Sequence, residues 1–465
     1  MIKKILSFGA IEGLARGANW LLLIVLAMIL PASEYGVLAL ILAIEGTLIP
    51  FLLLGQDRSV LRFYHDSSFE SSDVLTKITK IFFIFSIIIS FMLFVFLYMS
   101  NSETLYGLTV FPYGYIFVVS LVFLSFIKLY LSVVRVEAVV VTYAYVRIGN
   151  QVIKACALIV IMMMFKEVDY YPVVSLIVVL VIALPIIRGY VGRCGRVVNN
   201  KNDNKRLILF GAPLIFHVLS GSILSYIDRF FIDYYMDEAS VGVYTLAYML
   251  GSSITLIFGL TAIYFEPYVY KKHQEEVGAM EYSLNLYSRV LFVIVSVVGL
   301  VLLVFSYEFL QDVFGEDYAL ASGVVPIVLM SHIIHIIYLQ ANYRLTALEK
   351  TGTIAMGTVT AAVINSLANV VLIPKMGLLG AAYATFISYF FLAFFMFVIS
   401  YYRAGDRLSL LKSALMHSSV LMLVLMSIIM NTMLTYYSVL VVISIAFVFY
   451  VFKYDYLRIR KILAQ

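Results

Sequence analysis

Apolar residues run on for about twenty positions at a time along this chain, the length that carries a helix across the hydrocarbon core of a bilayer. Fourteen such runs occur, at roughly 5–30, 34–55, 77–100, 110–133, 136–165, 168–190, 207–233, 239–265, 286–309, 319–347, 350–373, 377–402, 410–431 and 434–453. They are continuous rather than alternating, which predicts helices and not a transmembrane barrel. Turns as short as Pro31-Ala32-Ser33 and Pro374-Lys375-Met376 predict tight helical hairpins between neighbours. One hydrophilic stretch, Gly192–Arg206, interrupts the pattern after the sixth run and reads as a linker.

Composition narrows the class. Hydrophobic residues make up 63% of the 465 positions and charged residues only 13%, about half the charged share of a soluble domain. That leaves too little polar surface to cover soluble cores. A cytosolic enzyme, a secreted disulfide scaffold and a nucleic-acid binder are therefore not expected. Cys156 lies in an apolar run and Cys194 in a basic loop, so no disulfide is predicted, and no CxxC or Cys/His cluster suggests a metal site. Lys3 and Lys4 precede a long apolar run without a small-residue cleavage site, so that run reads as a retained helix.

The basic residues set the sidedness. With the N-terminus inside, 24 of the 32 Lys and Arg fall in or beside cytoplasmic segments, six lie within runs, and only Lys166 and Lys375 lie outside. The outer loops are acidic instead, with Glu167, Asp169, Asp237, Glu238, Asp312 and Glu316. Both termini are expected in the cytoplasm, by the positive-inside rule.

Charges inside the runs are costly and ordinarily face a bundle interior or an aqueous cavity. Six are cations: Arg16, Lys128, Arg147, Lys154, Arg229 and Arg344. Three are acids: Glu12, Glu45 and Asp228. Such a surplus suits a diphosphate, whose oxygens need replacements for lost water. Glu12 and Arg16 are one helical turn apart and can pair. Arg16 and Glu45 fall at similar depth on adjacent runs, which predicts either a self-neutralising cluster or a cation-responsive carboxylate beside a substrate-facing arginine. Arg147, Asn150, Gln151 and Lys154 form one polar stripe, read as a cavity lining because no acid beyond Glu137 shares that helix. Asp228 and Arg229 are adjacent, about 100° apart on a helix, with an interfacial and a cavity role both open. His332 and His335 read as satisfied interior histidines, Asn365 and Asn369 as interhelical hydrogen-bonding groups, and Gly9, Gly13 and Gly17 as a packing face.

The two halves carry a weak echo: Ser33–Leu40 (SEYGVLAL) opens the second run and Ala239–Leu246 (ASVGVYTL) the eighth. Equivalent positions of this kind predict parallel repeats. Together with Leu54–Tyr64 (LGQDRSVLRFY), Ser225–Leu250 (SYIDRFFIDYYMDEASVGVYTLAYML) and 373–389 (IPKMGLLGAAYATFISY), these segments resemble polysaccharide-export members of the multidrug/oligosaccharidyl-lipid/polysaccharide superfamily, and most of all bacterial O-antigen flippases of the Wzx type. The resemblance implies an all-α integral membrane protein of about 14 transmembrane helices, with two six-helix lobes around a central cavity plus two C-terminal helices. On this chain that places lobes at 1–195 and 207–402, a cytoplasmic linker at 196–206, and the extra helices and tail at 403–465. It implies translocation of undecaprenyl-diphosphate-linked oligosaccharide units across the bacterial inner membrane. Membrane lipid, a polysaccharide polymerase and a chain-length regulator are the implied partners.

Arg16, Lys128, Arg147, Lys154, Arg229 and Arg344 are then the candidate substrate-binding cations, and Glu12, Glu45 and Asp228 the candidate ion-coupling acids. No GxxxxGK[ST] nucleotide loop appears. No cofactor is expected beyond a proton or sodium gradient to drive cycling. Two alternatives stay open: a cation-coupled drug exporter of the same fold, and a polysaccharide polymerase or membrane transferase. The cationic surplus disfavours the first, and the lack of a large outer loop or a catalytic constellation disfavours the second.

Overall fold

A computed structural model describes residues 2–66, 70–195, 201–259, 261, 265, 269, 279–308, 310–348 and 350–403. Among the described residues, the chain's regular structure is helical apart from one short hairpin. Its helices are α1 (Ile2–Ile29), α2 (Ala32–Leu53), α3 (Gln56–Phe63), α4 (Ser71–Ser100), α5 (Tyr115–Val136), α6 (Val140–Phe165), α7 (Tyr171–Val191), α8 (Lys201–Tyr235), α9 (Glu238–Ser252), α10 (Ala279–Glu308), α11 (Leu310–Phe314), α12 (Ala321–Ala347), α13 (Thr351–Met376) and α14 (Leu378–Arg403). Among the described residues, nine helices are long and apolar enough to cross a membrane, so the chain is a multi-pass membrane protein. The expected runs at 410–431 and 434–453, and residues 260 and 262–264 of the run at 239–265, lie outside the described residues.

Two features depart from the expected pattern. The loop expected after the second run contains α3, a short helix whose apolar residues Val60 and Phe63 are buried. Strands β1 (Thr104–Leu105) and β2 (Leu108–Thr109) pair antiparallel in the loop after α4. Gly17 of the expected packing face departs too: a Cβ there would meet nothing within 4 Å, so Gly17 marks no close helix contact.

Two compact units divide the chain, Met1–Thr245 and Leu246–Gln465. In the first, α1 packs on α6, α5 on α7, and α2 on both α5 and α8. Leu54 and Gly55 end α2 with positive φ angles of 48° and 68°. Only glycine suits the second position, because a Cβ there would also lie 2.3 Å from the Gly211 carbonyl oxygen. This sharp break turns α3 back so that Asp57 and Arg58, at its start, face the interior of the unit. In the second unit, α12 packs on α10 and α14, and α13 on α14. There Asn365 of α13 donates to Ser388 Oγ of α14 at 3.2 Å, an interhelical hydrogen bond of the expected kind.

Candidate functional site

The first unit encloses a polar cavity of 560 Å³ between α1, α2, α3, α5, α6, α7 and α8. Six cations and three carboxylates line it: Arg16, Arg58, Lys128, Arg135, Arg147 and Lys154 against Glu12, Glu45 and Asp57. The lining therefore carries a surplus of three positive charges, among leucines and isoleucines and the uncharged polar groups of Asn19, Asn150, Gln151, Tyr143 and Tyr171.

Helix geometry spreads these charges through the depth of the unit. Arg135 and Lys128 are seven residues apart on α5, and Arg147 and Lys154 seven apart on α6. Each pair is thus on one helix face, separated by about 10 Å. A three-residue turn, Glu137–Val139, joins the two helices antiparallel. Arg135 consequently stands near the turn, Lys128 and Arg147 at middle depth, and Lys154 deepest.

Two ion pairs tie α6 to its neighbours. Arg147 grips Glu12 of α1 with two hydrogen bonds, Nε to Oε1 at 3.0 Å and Nη2 to Oε2 at 3.3 Å. Tyr143, one turn earlier on α6, donates its hydroxyl to the same Oε1. Arg16 Nε stands 3.9 Å from Glu12 Oε2, with more than half of its side chain exposed to the cavity. One turn deeper, Gln151 donates to Asn19 of α1 at 2.6 Å. At the deep end, Lys154 Nζ donates to the Tyr171 hydroxyl at 2.6 Å, and that hydroxyl donates to Glu45 Oε2 at 2.7 Å. Lys154 and Glu45 are themselves 3.6 Å apart. Tyr171 is fully buried and bridges α2, α6 and α7.

This arrangement corrects two sequence-based expectations. The stripe on α6 is not a row of unpaired cations: each has an acid from another helix, Glu12 for Arg147 and Glu45 for Lys154. Arg16 and Glu45 do not form the expected cluster, because Glu45 is held by Tyr171 and Lys154 while Arg16 leans on Glu12. Among the described residues, Lys128 Nζ and the Arg135 guanidinium enter no ion pair or hydrogen bond. Lys128 is exposed to the cavity, as is Arg135. Arg16 and Arg58, 3.9 and 3.8 Å from Glu12 and Asp57, keep more than half of their side chains exposed, and these four are the cations left available to a ligand. Such a lining suits a phosphate, with a point charge from Lys and a planar fork from Arg.

Three of the expected site residues lie elsewhere. Asp228 and Arg229 on α8 are both buried and close on each other, Arg229 Nη1 to Asp228 Oδ1 at 3.0 Å. Adjacent residues meet here because the arginine folds back, also donating to the Ser225 carbonyl at 2.6 Å. Tyr244 donates to the second Asp228 oxygen at 2.6 Å. This network does not line the cavity. Arg344 belongs to the second unit, where it is buried and donates to Ser400 Oγ of α14 at 2.7 Å. Also in the second unit, His332 is buried against Tyr248 and Tyr389, and neither of its ring nitrogens has a hydrogen-bond partner among the described residues, contrary to the expectation of a satisfied histidine.

In place of these residues the fold supplies Asp57, Arg58 and Arg135, which fall between the expected runs. A signal was present for Arg135, two full turns after Lys128 on the same helix. None marked Tyr143 and Tyr171, since tyrosine is frequent in this chain, with 35 copies.

With the geometry in place, similarity to known proteins is informative. The profile of the polysaccharide biosynthesis protein family matches residues 1–271, more than half of the chain. A "probable low-salt glycan biosynthesis flippase Agl15" of Haloferax volcanii is 31% identical over 176 residues, 37% of this chain. The match spans 36% of that relative, so about a third of its length is compared. An uncharacterized membrane protein of Haemophilus influenzae is 23% identical over 344 residues, covering 71% of this chain and 80% of that one.

Among solved structures, the lipid II flippase MurJ in its inward closed conformation aligns with a TM-score of 0.70 at 14% identity, over 97% of this chain and 99% of that one. An inward-facing multidrug resistance MATE transporter aligns with a TM-score of 0.61, also at 14% identity, over 86% and 94% of the two chains. At such identities the likeness is one of fold: this chain has the all-α transporter fold of the multidrug/oligosaccharidyl-lipid/polysaccharide superfamily. The relatives whose names state an activity are flippases and transporters rather than enzymes.

Proposed function

The chain belongs to the polysaccharide biosynthesis protein family, and from that premise we propose that it flips a diphosphate-linked oligosaccharide lipid across the cytoplasmic membrane. The substrate of this reading is an undecaprenyl-diphosphate-linked repeat unit, received at the cytoplasmic leaflet and released outside for polymerisation into a surface polysaccharide. Both termini and the 196–206 segment are cytoplasmic in this reading, of which 196–200 lie outside the described residues. The released unit would then serve a polymerase acting with a chain-length regulator.

One observation carries the proposal. The cavity of the first unit keeps a net surplus of three positive charges after its internal ion pairs form, and Lys128 and Arg135 stand unpaired on one face of α5. An anionic headgroup entering near Arg135 meets Lys128 about 10 Å deeper, so the diphosphate can be handed along the helix without a stretch lacking a counter-charge. The same surplus repels the organic cations that a drug exporter would carry.

The test is transport by purified protein in vesicles, using a fluorescent prenyl-diphosphate oligosaccharide and its accessibility to an external lectin. Replacing both Lys128 and Arg135 by Gln is expected to lower the initial rate by about tenfold or more, the worth of one charge-assisted hydrogen bond. Undiminished flipping by the double variant, or uptake of an organic cation in preference to the lipid, would overturn the proposal.

A further inference from the structure

Round α2 from the cationic cavity lies a second hollow, of 360 Å³, also within the first unit. Its walls come from α2, α4, the β1–β2 hairpin, α5 and α8, and they are almost wholly apolar. Ile44 of α2, Leu93 and Phe96 of α4, and Ile223 and Phe230 of α8 are typical of them. The hydroxyls of Thr47 and Ser222 are spent on backbone: Thr47 donates to the Ala43 carbonyl at 2.8 Å and Ser222 to the Gly46 carbonyl at 3.3 Å. The volume falls within the range of small-molecule sites.

Helix α2 is the partition between the two. Leu38, Leu42, Glu45 and Ile49 face the cationic cavity, while Ile41, Ile44 and Leu48 face the apolar groove, about 100° round the helix. One residue lines both hollows, Tyr226 of α8. Its ring lies against Gly46, where an added Cβ would come within 2.8 Å of Cε2. The ring therefore sits at the seam, with α2 kept bare at that point.

We propose that the groove holds the isoprenoid segment nearest the diphosphate while the headgroup occupies the cationic cavity. The proposal rests on the flippase reading above and deepens it. An isoprenyl diphosphate joins a dianionic head and a branched hydrocarbon by one covalent bond, and the two hollows offer those two chemistries on either side of a shared residue. Within a bilayer the chain gains packing rather than escape from water, because lipid tails are as apolar as leucine. The preference over ordinary acyl chains therefore comes from the tether: once the diphosphate is bound, the attached isoprenoid is present at high effective concentration beside the groove.

The experiment uses the full-length protein in phosphatidylethanolamine/phosphatidylglycerol vesicles and a long-chain prenyl diphosphate carrying a diazirine in its first isoprene unit. Photolysis should label peptides containing Ile41–Leu48 and Ser222–Phe230. Unlabelled prenyl diphosphate should compete, and excess phosphatidylglycerol should not. Filling the groove by Ile223→Trp should weaken binding of the long-chain probe by about tenfold, while isopentenyl diphosphate, which has too little chain to reach the groove, should bind as before. Labelling that phosphatidylglycerol competes away would make the groove an ordinary lipid contact and overturn the inference. So would labelling confined to other helices with binding still dependent on Lys128 and Arg135, an outcome that leaves the flippase reading intact. Failure of both the long and the short diphosphate to bind would overturn both readings together.

Discussion

Gly36 of α2 and Gly242 of α9 stand backbone to backbone, and the contact is reciprocal. A Cβ on Gly36 would lie 1.8 Å from the carbonyl oxygen of Glu238, and one on Gly242 would lie 2.0 Å from that of Ala32. The two glycines hold the same place in the SEYGVLAL and ASVGVYTL segments, and Ala32 and Glu238 are likewise equivalent in that register. Residue i of one copy meets residue j of the other while j meets i, the pattern that a two-fold relation imposes on a contact. The sequence echo thus corresponds to a physical pairing of its two members.

Because both partners at this crossing are main chain, no side chain can swing away to admit a methyl group. Gly36→Ala and Gly242→Ala are each expected to destabilise the protein by at least the 1–3 kcal/mol typical of overpacking, about the upper end of that range. The double variant should cost less than the two together, since the first substitution already separates the helices. Thermal unfolding in detergent measures this, and wild-type stability in either single variant would show that α2 and α9 do not meet this closely.

The Arg147–Glu12 pair predicts a second, different non-additivity. Both side chains are partly exposed to the cavity, 29% and 23%, so solvent screening reduces their worth below that of a fully buried pair. Arg147→Ala and Glu12→Gln should each lower stability, and the double-mutant cycle should give a coupling on the order of 1 kcal/mol. Lys at position 147 should keep part of the coupling, because the charge survives while the two-pronged hydrogen bond does not. A coupling indistinguishable from zero would mean that Arg147 is held by something other than Glu12.

Glu238 supplies a pH dependence outside the spanning helices. Its carboxyl is held above the ordinary carboxylate range, first by burial and then by the neighbouring charges of Asp233, Glu34 and Asp237. A raised folded-state pKa means that the native protein holds this proton more tightly than the unfolded chain does. Stability is therefore expected to fall as pH rises from the ordinary carboxylate range through the raised value, and then to level off. Glu238→Gln should stabilise the protein at pH 7–8, and the gain should vanish as pH drops to about 4. An equal gain at every pH would show that the side chain's charge is not the cause.

The span pattern was readable because the bilayer imposes it: a helix must stay apolar for its whole crossing, and the ends of α1, α2, α6, α7, α12, α13 and α14 fall within about four residues of the ends of the apolar runs. Helix α3 escaped because its amphipathic face is only two apolar residues wide, and polar stretches of that length read as loop. The charged lining was legible by residue type but not by partner. Counting along each run places Arg16 and Glu45 at similar depth, yet depth leaves the direction round the helix axis open. Glu45 turns toward α6 and α7, where Tyr171 and Lys154 receive it, and Arg16 stays with Glu12. Partners as distant in sequence as Glu12 and Arg147 are brought together by helix packing, which no local pattern encodes.

The deep triad of Lys154, Tyr171 and Glu45 gives the last prediction, on coupling. Tyr171 is the middle of a chain in which Lys154 donates to the phenol and the phenol donates to Glu45. The phenol thus fixes how the ammonium and carboxylate face each other. If Glu45 releases and rebinds a cation during cycling, the hydroxyl must yield its hydrogen bond each time, so the triad has two arrangements to choose between. Tyr171→Phe removes that hydroxyl but keeps the ring, the packing and the 3.6 Å ion pair. It is expected to cost about 1–3 kcal/mol of stability through the unmade buried hydrogen bonds and to alter how transport depends on an imposed proton or sodium gradient. Glu45→Gln should slow transport and flatten that dependence, while leaving binding of a prenyl diphosphate in place. The purely structural alternative predicts something else: Glu45→Gln strands the Lys154 charge, yield falls, and the Glu45→Gln, Lys154→Gln double variant restores both yield and gradient-dependent transport. Reconstituted vesicles with imposed gradients separate the two, and a well-folded Glu45→Gln protein with unchanged gradient dependence would remove Glu45 from the coupling mechanism.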